Sequence, residues 1–155
     1  MVTSFFGTES YSIDHKGRIS VPATMRRTEG RNPPLKEFIL VAGFEGCLVL
    51  YGLREWDTVE RRLRRIPIGD LRGRSFLRSF LKDAAKVTVD AQGRITLPPA
   101  LITRAGLGKE AVLHGQLDRI EIWNPERYDA SVEQGRSMQA ADAERYLGMF
   151  DGDEA

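Results

Sequence analysis

The chain has 155 residues, of which 41% are hydrophobic, so one or two small domains with a buried core are expected. Its formal net charge of +1 argues against a general binder of polyanions. No stretch approaches the ~20 apolar residues that span a bilayer, and the N-terminus lacks a signal-peptide pattern, so a cytoplasmic protein is expected.

The first predicted element is a reversal between strands in Asp14-His15-Lys16-Gly17-Arg18-Ile19-Ser20-Val21-Pro22. Apolar Ile13, Ile19 and Val21 alternate with polar positions, which is the pattern of a half-buried strand. Arg18 falls on a polar position of this pattern. We therefore expect its side chain to point away from the core.

Two residue types favour a tight turn at this reversal. Asp14 can accept hydrogen bonds from turn N–H groups, and Gly17 tolerates a positive φ. Pro22 cannot continue a strand ladder and suits the first turn of a helix. A short helix is therefore predicted at about Ala23–Arg27.

A second hairpin follows, with strands at Glu37–Ala42 and Cys47–Tyr51 around a turn at Gly43–Gly46. The Gly- and Pro-bearing stretch Gly30–Pro34 before it is typical of a loop. Cys47 is the only cysteine, which excludes an intrachain disulfide. Its apolar neighbours predict a buried thiol.

Two helices are predicted after this hairpin. The first has an apolar stripe at helical spacing, formed by Trp56, Val59, Leu63 and Ile66. The second covers Leu71–Lys82, after Asp70 as N-cap, and joins the two halves of the chain. Its packed side is expected to carry Phe76, Leu77, Phe80 and Leu81.

The opening phrase recurs 76 residues later as Asp90-Ala91-Gln92-Gly93-Arg94-Ile95-Thr96-Leu97-Pro98. Both copies keep an acid, a turn glycine, the arginine beside it, an isoleucine and a proline. A helix at about Ala100–Ala105 and a hairpin of Ala111–His114 and Arg119–Trp123 follow, as in the first half. The recurrence indicates two copies of one supersecondary unit.

The C-terminal part is predicted to be helical. Asn124-Pro125-Glu126 is typical of a helix start, and Gln139–Met149 predicts a weaker helix. The acidic end, Asp151–Glu154, is expected to be frayed.

These elements predict an α+β fold of two βαββα repeats. Four short strands cannot form a two-sided core alone, whereas two units can close their edges on each other. We therefore expect a pseudo-twofold β-barrel with peripheral helices. The expected segments are a first unit at 8–54, linking helices at 55–83, a second unit at 84–127, and a C-terminal helix and acidic tail at 128–155.

Arg18 and Arg94 are the leading candidates for a binding site. An arginine beside a turn glycine can bring a planar group of five donors to a phosphate or to guanine O6 and N7. Lys16 adds a charge suited to phosphate, whereas its counterpart Gln92 can hydrogen-bond a base edge. The alternative is a solvated turn whose arginine pairs with the aspartate of the same turn. Turn structure is assigned to Asp14, Gly17, Pro22, Asp90, Gly93 and Pro98.

Two further stretches are rich in arginine, Arg61–Arg65 and Arg72–Arg78. Helical spacing favours charged outer helix faces over DNA contacts there, and contacts with a neighbouring subunit stay open. Residues 1–83 carry 15 Lys/Arg and 10 Asp/Glu, whereas residues 84–155 carry 8 and 12. A DNA-binding surface should therefore lie mainly on the first half of the chain. The opposite net charges of the two halves are consistent with head-to-tail association into a ring.

Catalytic and metal signals are weak. Residues Gly106–Lys109 resemble part of a phosphate-binding loop. However, Thr103 stands where that motif needs Gly, and Glu110 stands where it needs Ser or Thr. His15 and His114 have no second ligand at metal spacing. We expect neither an enzyme nor a metal, a cofactor or a small-molecule substrate.

The order of these motifs resembles the MraZ family. The resemblance is carried by Phe6-Gly7, the pattern Asp-x-Lys-Gly-Arg-x-x-x-Pro-x-x-x-Arg at Asp14–Arg26, and the segments Asp90–Ile95, Ala105–Lys109, Gly115-Gln116 and Ile120–Trp123. It implies tandem AbrB-like swapped-hairpin domains whose Gly-Arg turns face DNA. It also implies ring-like homo-oligomers on the nucleoid and control of the division and cell-wall gene cluster. One departure is Ile102, the counterpart of Arg26 in the second copy.

We therefore expect a nucleoid-associated, oligomeric repressor that binds repeated elements of double-stranded promoter DNA, its own promoter included. Its DNA-binding residues would be Lys16, Arg18, Gln92 and Arg94. The alternative is a protein-interaction scaffold or antitoxin-like module whose arginines bind acidic partners.

Overall fold

The computed structural model describes residues 4–27, 34–138 and 140–148. The chain divides into two compact units after Pro125. The predicted acidic end at 151–154 and all of the predicted loop at 30–34 except Pro34 lie outside the described residues.

The described part of the chain contains eight strands and six helices. The strands are β1 (Thr8–Ser12), β2 (Arg18–Ser20), β3 (Glu37–Ala42), β4 (Leu48–Gly52), β5 (Ala85–Thr88), β6 (Arg94–Thr96), β7 (Glu110–Gly115) and β8 (Ile120–Trp123). The helices are α1 (Ala23–Arg26), α2 (Leu53–Leu63), α3 (Leu71–Leu81), α4 (Pro99–Arg104), α5 (Pro125–Arg136) and α6 (Ala140–Gly148). The mixed α+β class is confirmed.

Six of the strands form one antiparallel sheet in the order β1-β7-β8-β4-β3-β5. The two short strands β2 and β6 pair with each other as a separate two-stranded ribbon. Strand β1 of the first repeat pairs with β7 of the second, and β5 of the second pairs with β3 of the first. Each repeat therefore completes the sheet of the other.

The predicted closed barrel is wrong. Within the described residues, β1 and β5 are the two edges of the sheet and do not pair. The ribbon strands are each only three residues long and belong to a separate sheet. Pro22 and Pro98 are separated by one residue from the ends of these strands, as helix N-caps, and a proline has no N–H with which to extend a ladder.

One hydrophobic cluster joins the sheet to the ribbon and to α1 and α4. The ribbon and its two helices contribute Ile19, Val21, Met25, Ile95, Leu97 and Leu101. The sheet contributes, among others, Phe38, Leu40, Leu48, Leu50, Leu113, Ile120 and Ile122. The ribbon is thus fixed to the body of the unit by its apolar residues, and its polar residues are left facing outward.

The predicted helix after Asp70 is confirmed as α3, and the side chain of Asp70 accepts the N–H of Gly73 at 2.9 Å as an N-cap. Phe80 is buried, whereas Phe76 and Leu81 are 40% and 42% exposed, so the predicted packed side is only partly buried. Leu81 is the last residue of the helix, and Phe76 stacks both on Phe80 and on the exposed ring of Phe44, with 5.7 and 6.1 Å between ring centroids.

The other helices lie near the positions predicted from the sequence. Helix α2 ends at Leu63, so the prediction that Ile66 belongs to its apolar stripe is wrong. Helix α5 begins at Pro125, and α6 lies within the predicted 139–149. In the described ranges, the helices are too short or too polar to cross a membrane.

Candidate nucleic-acid interface

The first turn, Asp14–Arg18, is organised by one carboxylate. Asp14 Oδ1 accepts the backbone N–H groups of Lys16 and Arg18, each at 2.9 Å. Asp14 Oδ2 accepts Arg18 Nε at 2.6 Å. The Asp14 N–H donates to the Arg18 carbonyl at 3.0 Å, so the turn is closed by backbone and side chain together.

The second turn, Asp90–Arg94, repeats this network. Asp90 Oδ1 accepts the N–H groups of Gln92 and Arg94 at 2.9 Å, and Oδ2 accepts Arg94 Nε at 3.2 Å. The Asp90 N–H donates to the Arg94 carbonyl at 2.8 Å. The two turns are therefore equivalent in hydrogen bonding as well as in sequence.

The backbone of both turns passes through the left-handed region. Gly17 has φ +78° and Gly93 has φ +80°, values that residues with a Cβ rarely adopt. The N–H of each glycine donates to the carbonyl of the aspartate three residues before it, at 2.9 and 3.0 Å. The position of the glycine thus fixes where the neighbouring arginine leaves the backbone.

The ribbon joins the two turns. Arg18 pairs with Thr96, and Ser20 pairs with Arg94. The ladder is extended by the N–H of Val21 to the carbonyl of Gly93 and by the N–H of Leu97 to the carbonyl of Gly17. Arg94 Nη1 lies 3.8 Å from Asp14 Oδ2, across the two turns. The structure thus brings the two arginine-bearing turns side by side.

Both turn carboxylates are held in the charged form. The backbone N–H of Arg18 is the main reason that the pKa of Asp14 falls to about 2. The backbone N–H of Arg94 likewise lowers the pKa of Asp90. The first turn then carries one carboxylate with Lys16 and Arg18, whereas the second carries one carboxylate with Arg94 alone. The first turn is the more cationic of the two.

Each arginine pairs with the aspartate of its own turn, which is the arrangement of a purely structural turn. The pairing uses Nε, and each arginine side chain is 28% exposed. Within the described residues, the Nη groups of Arg18 have no hydrogen bond, whereas Arg94 Nη2 lies 3.4 Å from Gln92 Oε1. Lys16 and Gln92 are exposed. The turns therefore keep donors for an outside acceptor while their arginines are held in place.

Arg26 lies beside the second turn, which the spacing of the sequence did not predict. Its Nε donates to the carbonyl of Val21 at 2.8 Å, and its Nη1 donates to that of Leu35 at 3.0 Å. A Cβ added to Gly93 would lie 3.6 Å from Arg26 Nη2. Burial lowers the pKa of Arg26. A residue of the first repeat thus places a guanidinium next to the turn of the second.

Two arginines at helix α2 form ion pairs with acidic residues of the same helix. Arg61 lies 2.9 Å from Asp57, and Arg64, the C-cap of the helix, lies 3.1 Å from Glu60, with the members of each pair four positions apart in sequence. Such exposed pairs contribute little to stability. In the part of the chain that the structure describes, no group of His, Cys, Asp or Glu could hold a metal ion.

Comparison with known proteins covers nearly the whole chain. The family model described as "MraZ protein, putative antitoxin-like" matches residues 4–79 and again residues 80–149, so each match contains one of the two turns.

Several relatives are named "Transcriptional regulator MraZ", among them proteins of three organisms. The chain is 38% identical over 126 residues to that of Acetivibrio thermocellus, covering 81% of this chain and 85% of the relative. It is 40% identical over 125 residues to that of Lactobacillus delbrueckii subsp. bulgaricus, with 81% and 84% covered. It is 36% identical over 132 residues to that of Deinococcus radiodurans, with 82% and 86% covered.

Proposed function

Because the chain belongs to the MraZ family, we propose that it is a DNA-binding transcriptional regulator whose two Gly-Arg turns contact promoter DNA. The name of the relatives supports the regulatory role and a function other than catalysis. The observation that carries the proposal is the duplicated turn. One hydrogen-bond network occurs twice, each time beside an arginine, and the ribbon joins the two copies.

The chemistry of each turn suits a duplex. The Nη groups of Arg18 and Arg94 are the donors for phosphate oxygens or for guanine O6 and N7 in the major groove. The aspartate contact through Nε orients each guanidinium before binding, which reduces the entropy that binding costs. Lys16 supplies a phosphate contact, and Gln92 supplies donors and an acceptor for a base edge.

Several copies of the chain acting together would raise the affinity for promoter DNA. One turn makes few contacts, whereas copies linked in a ring raise the effective concentration of each turn at a promoter with repeated elements. The net charges of the two halves are opposite, which supports head-to-tail contacts between copies. We propose that the ring acts on the nucleoid as a repressor of the division and cell-wall gene cluster, including the promoter of its own gene.

The strand pairing supports a finer description of the fold. We propose that the two repeats form an AbrB-like swapped-hairpin arrangement, in which β1 and β5 are exchanged between repeats. We keep the division into units at 8–54 and 84–127, linking helices at 55–83 and a C-terminal segment at 128–155 as part of this proposal.

The test compares two double variants on a fluorescent duplex from the DNA upstream of the gene. Arg18→Ala with Arg94→Ala is expected to weaken binding by about 1–3 kcal/mol per lost arginine contact. The control, Arg61→Ala with Arg64→Ala, removes the same charge from the paired surface of α2 and should bind as the wild type does. Fluorescence anisotropy measures both. Equal affinity of the two double variants would reject the turns as the DNA site.

A second candidate is a protein-interaction module. It is favoured by the carboxylate that each arginine already binds, because an acidic partner segment could compete for the same donors. The word "antitoxin-like" in the family description is consistent with this role. Pull-down from nuclease-treated extract discriminates the two: a partner that stays bound without DNA supports the module, whereas loss of all association supports the regulator.

A further inference from the structure

Each turn lies beside a lysine of the other repeat. The carbonyl of Lys109 accepts the N–H of Ile13 at 2.8 Å, and the carbonyl of Lys36 accepts the N–H of Val89 at 2.7 Å. Ile13 directly precedes Asp14, and Val89 directly precedes Asp90. The two lysines therefore occupy equivalent places relative to the two turns, although they are contributed crosswise.

The backbone fixes these lysines in place. Lys36 directly precedes β3, and Lys109 directly precedes β7. Residues joined by such a backbone bond have Cα atoms roughly 5–6 Å apart. Lys109 also lines the same open groove as Asp14 and His15 of the first turn. Each lysine is thus a near neighbour of a turn in space, and 53 or more residues separate it from that turn in sequence.

The side chains of these lysines are free to meet an anion. Both are exposed, and neither forms an ion pair with the described residues. In contrast, Lys82 lies 3.1 Å from Asp83, and Lys86 lies 3.4 Å from Glu37. Among the lysines, those without an ion pair in the described part of the chain are therefore Lys16, in the first turn, and the two that flank the turns.

A lysine is suited to phosphate as a compact point charge. A DNA duplex carries one phosphate charge per ~1.7 Å of its axis, so a cation next to a turn that engages the duplex meets phosphates. On the premise of the proposed function, we infer that Lys36 and Lys109 contact phosphates on either side of the turns. The DNA surface is then composite: each turn of one repeat binds with a lysine of the other.

The test measures the dependence of DNA affinity on salt for Lys36→Gln with Lys109→Gln. Each lost phosphate contact should reduce the slope of log K against log salt by about 0.9, or about 1.8 for each engaged protomer. The preference for promoter over unrelated duplex should stay unchanged, because phosphate contacts are common to all sequences. Lys36→Arg with Lys109→Arg should keep the wild-type slope.

The matched control is Lys82→Gln with Lys86→Gln, which removes two charges at lysines already paired with acids. A slope for the flanking pair equal to that of this control overturns the inference. The proposed function is judged separately, by wild-type binding and by the loss in Arg18→Ala with Arg94→Ala. If the wild type binds DNA and the double arginine variant loses affinity, but the lysine variant keeps the wild-type salt slope, the turns bind DNA without the flanking lysines. If wild-type protein has no affinity for DNA, both ideas fail.

Discussion

The two turn glycines should differ in their tolerance of a methyl group. Alanine at either position must adopt the left-handed backbone, at a cost of about 1–2 kcal/mol. At Gly17 the new Cβ would also lie 3.0 Å from the carbonyl oxygen of Leu97 and 3.2 Å from Ile102 Cδ1. At Gly93 its nearest neighbour would be Arg26 Nη2, at 3.6 Å, which is an ordinary contact.

The crowding at Gly17 cannot be relieved easily. Leu97 donates its own N–H to the carbonyl of Gly17 at 2.8 Å, so its backbone cannot withdraw without loss of the ribbon. Overpacking of this kind costs about 1–3 kcal/mol. Gly17→Ala should therefore lower the free energy of unfolding by about 2–5 kcal/mol, and Gly93→Ala by about 1–2 kcal/mol.

Urea unfolding followed by tryptophan fluorescence measures this difference. Both variants should be compared at one protein concentration, because association shifts apparent stability. A lower midpoint at unchanged slope identifies a loss of stability rather than a change in the unfolded state. Equal midpoints, or a lower one for Gly93→Ala, would show that the contact with Leu97 does not constrain the first turn.

Two further predictions concern titratable groups. Burial raises the pKa of Cys47 to about 12, so the native protein should resist a thiol reagent at pH 8 and react after unfolding; fast labelling of the native protein would contradict this. The pKa of Asp14 is about 2 in the folded protein, below its ordinary 3.8. Between these two pH values the unfolded state binds more protons than the folded state. The free energy of unfolding should therefore fall as the pH drops from about 4 to about 2. Asp14→Asn should make this fall shallower in acid unfolding curves, and an unchanged curve would count against the role of the carboxylate.

Local structure could be predicted well from the sequence. The alternation around Ile19 and Ile95 marked the residues that are buried in the ribbon, and Pro22 and Pro98 marked its ends. These features depend on residues close in sequence, through the period of a strand and the missing N–H of proline. The helix α3 and its Asp70 cap follow for the same reason.

The pairing between repeats could not be predicted in the same way. Whether β1 meets β2 or β7 depends on which edges the whole core brings together, and the alternation within one strand contains no information about its partner. The sequence predicts that the two units close their edges on each other but not which strands meet, so the flanking positions of Arg26, Lys36 and Lys109 were missed. The contacts of Arg18 and Arg94 with their own aspartates could be anticipated only as one of two alternatives.

If the turns bind DNA as proposed, their near-symmetry has a consequence for the sequence that they recognise. Lys16 gives the first turn a cation that the second lacks, and Arg26 adds one beside the second turn. With Arg26 counted beside the second turn, the surroundings of the two turns have similar charge but different donors, Lys16 in one and Gln92 with Arg26 in the other. We expect them to prefer different base pairs, so that an operator element would be asymmetric.

The most direct measurement is a structure of the protein bound to a duplex from the DNA upstream of its gene. If the turns bind DNA as proposed, the guanidinium groups of both Arg18 and Arg94 lie within ~3.2 Å of phosphate or base acceptors. A complex in which both groups contact only Asp14 and Asp90, with the duplex bound at another surface, would contradict the proposal.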